Sequence, residues 1–158
     1  MNKIVQIAGF MLTQALDTID TRGFLNPFFS GFKDSKSKVE SFKCKDILLE
    51  LAIPKLIRKF ETNSENFSCA AIAYPADVED DYGQRESAVI VQVKNYVTGE
   101  FLIIAQPYKK DKKLEVYEYE LFDFSPKLIN KLPEIEKNFI QGAYNYGDSK
   151  NFERFKRV

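Results

Sequence analysis

Apolar residues near the start of the chain recur every three or four positions. Ile4, Ile7, Ala8, Met11, Leu12, Ala15, Leu16 and Ile19 form one stripe of an amphipathic helix, and Gly23 is a natural stop for it. Met1-Asn2-Lys3 ahead of the apolar residues 4–12, with Thr13 and Ala15 at a small-x-small spacing, also outlines a short signal peptide. Gln6 interrupts that apolar run and the helical period continues to Ile19, so a helix of the fold is expected. Residues 24–32 hold Phe24, Phe28, Phe29 and Phe32, and are expected to be an aromatic connection covering one end of a sheet. A polar, lysine-rich surface loop is expected over residues 33–38.

A second helix is expected from Cys44 to Phe60, with Ile47, Leu48, Leu51, Leu56, Ile57 and Phe60 facing the core. Pro54 either kinks it or starts a new one, because proline has no amide donor and clashes with the preceding turn. From Phe67 the period changes to that of extended chain. Residues 67–74, 87–95, 101–108 and 114–122 form four expected strands. Thr98-Gly99 and the polar turn at residues 109–113 are too short for parallel crossovers, so the last three strands should be an antiparallel meander. Ser125-Pro126 has the form of an N-cap and first helical residue. A further helix is expected beyond it, interrupted at Pro133 and running through Ile135, Phe139 and Ile140 towards Tyr144. The expected fold is one α+β domain over residues 1–158: N-terminal helices, a four-stranded mainly antiparallel meander, and C-terminal helices, with the helices on one face of the sheet.

Composition narrows the chemistry. With 158 residues, 44% hydrophobic and 29% charged, the chain belongs to the globular class. Its 23 basic and 23 acidic side chains cancel, so no global field draws it to nucleic acid or to an anionic membrane. The chain has no histidine, which removes His-based triads, bases, zinc ligands and pH switches. Two cysteines, Cys44 and Cys69, are too few for a disulfide scaffold or an all-Cys zinc site. Both adjoin apolar runs and are expected to be buried free thiols, which suits the cytoplasm. No run of 18 apolar residues occurs, and no cofactor is implied.

Two constellations carry candidate chemistry. Asp77, Glu79, Asp80 and Asp81 precede Tyr82-Gly83 in what should be a solvated acidic loop. The spacing is not that of a calcium loop, because Tyr82 stands where that pattern needs glycine. The second is Gln92-Val93-Lys94 on a strand, with Pro75 and Asp77 ahead of it. Over about twenty residues this resembles a weakened PD-(D/E)xK nuclease signature. The resemblance implies Asp77 or Asp81 as a Mg²⁺ ligand, Gln92 at the second position, Lys94 as the water-positioning lysine, and Glu50 or Glu61 as a helix acid. Topology opposes it, since that family places a helix after the lysine strand and Thr98-Gly99 turns into another strand.

The leading expectation is a small cytosolic binding protein, most concretely a bacterial immunity protein that covers the active site of a toxin. Its expected contact surface is acidic: Asp77, Glu79, Asp80 and Asp81, joined by Glu118 and Glu120 of the fourth strand. The alternative is the degenerate nuclease built on Asp77, Gln92 and Lys94.

Overall fold

The computed structural model describes residues 3–33, 38–43, 48–117 and 120–126, with the backbone alone for 38–43 and 120–122. The elements in chain order are α1 (Lys3–Arg22), β1 (Phe28–Phe32), β2 (Lys38–Lys43), α2 (Leu49–Thr62), β3 (Cys69–Glu79), β4 (Arg85–Asn95), β5 (Phe101–Lys110), β6 (Leu114–Val116) and β7 (Glu120–Phe124). The strands form a seven-stranded sheet in the order β2-β1-β3-β4-β5-β6, with β7 pairing β5 beside β6, and every pairing is antiparallel.

The class is α+β, as expected, and the meander over residues 87–122 is present. The detail differs in four ways. Among the described residues the sheet has seven strands rather than four, because the aromatic connection is itself strand β1 and residues 38–43 form β2. The expected fourth strand is split into β6 and β7, which pair different parts of β5. α2 starts at Leu49 rather than Cys44 and carries Pro54 inside a single helix. α1 and α2 lie on opposite faces of the sheet, not on one. Cys44, Glu118 and the expected C-terminal helices lie outside the described residues.

Strand alternation shows the two faces directly. Cys69, Ala71 and Ala73 of β3 pack with α1, together with Val89, Val91 and Val93 of β4 and Leu102 and Ile104 of β5. Ala70 and Ile72, the residues between, pack with Ala52, Leu56 and Phe60 of α2. The sheet is curled, and α1, packed on β3, β4 and β5, is buried continuously from Ile4 to Thr13. Such all-round burial is what a helix with Val5, Gly9 and Phe10 outside its main apolar stripe requires.

Local chemistry fixes the ends. α2 stops at Asn63, left-handed at φ 45°, whose backbone N–H bonds the Lys59 carbonyl. The Asn63 side chain then holds Phe67 at both backbone groups, accepting from its N–H at 2.9 Å and donating to its carbonyl at 3.0 Å. Ser125 closes the β5–β7 pairing, its Oγ accepting from the Phe101 N–H at 2.7 Å, and the helix it is expected to cap lies outside the described residues. Buried Gln106 donates to the Tyr117 carbonyl at 2.5 Å, tying down the chain that leaves β6.

Candidate functional site: two hairpins of opposite charge

The β3–β4 hairpin runs well past β1 and ends beyond its last pair with β5. β1 accompanies β3 only as far as Ala73, and β5 accompanies β4 only from Ser87. Beyond those points the pairs from Val78–Glu86 to Glu79–Arg85 lead into the turn at residues 80–84. The turn is built by Asp80. Its Oδ1 accepts from the Tyr82 and Gln84 amides, both at 2.8 Å, its own N–H donates to the Gln84 carbonyl at 2.8 Å, and Gly83 takes the left-handed φ of 76°. This is an Asx turn closed by glycine, a combination favoured by the local hydrogen bonding of aspartate and by the missing Cβ of glycine.

The acidic span is therefore the end of a hairpin, an arm that is strand through Glu79 and turn from Asp80. Asp77 and Glu79 are exposed strand residues, Asp81 is exposed in the turn, and Asp80 is half-buried with its carboxylate committed to the turn. Glu86, on β4, adds a fifth carboxylate opposite Val78, and Arg85 is the arm's single cation. Tyr82 stands at the tip, 90% exposed. Asp77, Ser87 and Tyr108 form one row across three strands. Burial, and secondly the Asp77 carboxylate, push the Tyr108 phenol above its ordinary value.

The neighbouring hairpin leaves the same end of the sheet. Since Ser87 faces Tyr108, β4 begins at Arg85 level with the end of β5 at Lys110. The β5–β6 turn therefore leaves the same end of the sheet beside the acidic one, the two hairpins being about 10 Å apart, two strand spacings, where the β4–β5 pairing ends. It carries Lys109, Lys110, Lys112 and Lys113 with Asp111 and Glu115. Lys110 reaches back to the end of α1, donating to the Asp20 carbonyl at 3.2 Å and lying 3.6 Å from its carboxylate. Lys109, Lys112 and Lys113, with Asp111 and Glu115, line an open cavity of about 200 Å³.

Of the expected acidic surface, the structure brings Asp77, Glu79, Asp80 and Asp81 together on the arm. Glu120 is apart from them: on β7, its backbone pairs Ala105 of β5, so β5 and β4 lie between it and β3. The nuclease set is also dispersed. Gln92 and Lys94 lie opposite Ile72 and Ala70, on the α2 face, whereas Asp77 is five positions from Ile72 and on the other face. That is roughly 17 Å along the strand before the sheet is crossed. Gln92 donates to the Tyr74 hydroxyl at 2.8 Å, and half-buried Lys94 lies 5.7 Å from the centre of the Tyr96 ring. Glu50 and Glu61 are exposed on α2. Among the described residues no group of three or more acidic or cysteine side chains is placed to hold a metal ion, and no helix is long and apolar enough to cross a membrane.

Sequence reasoning did not single out Glu86 or Tyr82 as contact residues, nor the adjacency of the two charged turns. The alternation of apolar and charged residues over 74–79 was the available signal for a strand continuing through the acids. The adjacency follows only from the strand register. No family model, curated protein or solved structure matches the chain.

Proposed function

We propose that this protein is a small binding protein that inhibits a cationic protein partner through the β3–β4 arm. Its most concrete form is a bacterial immunity protein of the reducing cytoplasm that covers the active site of a toxin, with a nuclease cleft a natural target. The observation that carries the reading is the arm itself: five carboxylates against one arginine, capped by a nearly fully exposed tyrosine, on a hairpin held by the sheet. Carboxylates crowded on a stiff strand repel one another, and a cationic surface relieves that repulsion. Tyr82 offers the kind of rigid, amphipathic contact that dominates protein interfaces. The lysine hairpin alongside restricts the docking, because a uniformly basic partner is repelled there.

The experiment is association kinetics with a purified candidate, the basic product of a gene adjacent to this one. Asp77→Asn, Glu79→Gln and Asp81→Asn combined should slow association about tenfold or more at low salt and have little effect at high salt, as steering does. Tyr82→Ala should act mainly on dissociation. An unchanged low-salt rate in the triple variant removes the arm from the interface. Failure of the wild type to bind and inhibit removes this candidate as the target.

A further inference from the structure

Two turns of opposite charge, side by side at one end of one sheet, form a self-complementary surface. A two-fold axis normal to the sheet and just beyond the turns exchanges left and right. It therefore sets the acidic turn of one copy on the lysine turn of the other, twice over. We propose that this end of the sheet is a dimer interface between two copies of this chain, with the Asp81-Tyr82 tip of each copy seated against the cavity of Lys109, Lys112 and Lys113 in the other.

The fit rests on charge, shape and symmetry together. The arm carries Asp77, Glu79, Asp80, Asp81 and Glu86 against Arg85, and the facing turn carries four lysines against Asp111 and Glu115. The tip is the most exposed large apolar side chain among the described residues, Tyr82 at 90%, and the facing cavity of about 200 Å³ is large enough for one aromatic ring. A chain of zero net charge has no long-range self-repulsion to oppose the encounter. Because the contact is isologous it closes at two copies and does not propagate into a filament. The area is small, so the dimer belongs to the weak class of interfaces, with dissociation at about 0.1–1 mM. The contact occupies the same arm as the proposed target, so dimerisation and target capture are mutually exclusive. It does not depend on that target, and its test contains only this chain.

Sedimentation velocity of the full chain over a concentration series at low salt should show a monomer–dimer equilibrium with nothing larger. About 1 M salt, where the Debye length is about 3 Å, should weaken it at least tenfold. Asp81→Lys and Lys112→Glu should each abolish it, because like charges then meet at both contacts. An equimolar mixture of the two variants should restore a dimer, since both contacts are again attractive in the mixed pair. The same two changes in one chain should restore the homodimer. All the substituted side chains lie on exposed turns, and the restored dimer itself reports that the variants are folded. A wild type that stays monomeric to about 1 mM, single variants that still dimerise, or a mixture that does not, would each overturn the proposal.

Discussion

A methyl group on the Cα of Gly31 would lie 2.6 Å from two carbons of the Phe67 ring. Gly31 does not occupy the left-handed region, so its role is space rather than backbone freedom. Phe67 has little room to yield: it is buried, it packs 5.7 Å from the Phe29 ring centre, and its backbone is held on both sides by Asn63. Gly31→Ala should therefore destabilise the fold by about 1–3 kcal/mol, the usual range for overpacking. Urea unfolding measures this directly. In a Phe67→Leu background the same change should cost much less, and an additive pair would show that the clash is not the cause. Nothing in the sequence announces this contact, because residues 31 and 67 meet only through the β1–β3 pairing.

At the scale of elements, what the sequence shows plainly are the pieces with a clear period or a long apolar run between turn signals. α1 has its stripe, and β4 and β5 have apolar runs bounded by a short turn at Thr98-Gly99. There Asn95 Oδ1 accepts from the Val97 and Thr98 amides and Gly99 takes φ 78°. β1 is hidden for the opposite reason. All five of its residues are buried, Phe28 and Phe32 towards α1 and Phe29 towards α2, so no alternation marks it as a strand. The acidic arm misleads because charge density suggests a loop, while eleven consecutive pairs with β4 carry the strand through Asp77 and Glu79. Asp80 and Asp81, equivalent by composition, also differ in role. Asp80→Ala removes the acceptor for two amides and should cost about 1 kcal/mol or somewhat more, whereas Asp81→Asn should stay within about 0.5 kcal/mol. Thermal melts of the two variants, with faster amide exchange at Gln84 in Asp80→Ala alone, would test this. Equal effects would mean that the turn does not depend on the Asp80 carboxylate.

On the scale of the whole molecule, the sheet keeps ionisable groups inside on both of its faces, and they respond to pH in a concerted way. Burial raises the Tyr74 and Tyr96 phenols on the α2 side, and the Tyr108 phenol and the Cys69 thiol on the α1 side. For Tyr96 the Cys69 thiol adds to the shift, and its hydroxyl is donated to the Phe60 carbonyl. An acid whose folded value is raised keeps its proton longer in the native state than in the unfolded chain. Its contribution is complete below the unfolded values, 9.0 for the thiol and 10.0 for the phenols, and is lost as pH rises through the folded ones. Lys3, lowered by burial, acts in the opposite sense as pH approaches its ordinary 10.5, but among the described residues it is one proton against four. Stability should therefore hold to about pH 9 and then fall steeply towards pH 11. Urea unfolding at unit pH steps follows the fall, and phenolate absorbance shows which tyrosines ionise before the fold opens. Tyr96→Phe should lower stability at neutral pH by losing the bond to Phe60, yet flatten the decline above pH 10 because one linked proton is gone. A wild-type profile level from pH 8 to 11 would mean that these side chains are not held in the interior. An undiminished slope in Tyr96→Phe would assign the alkaline loss to the other three groups.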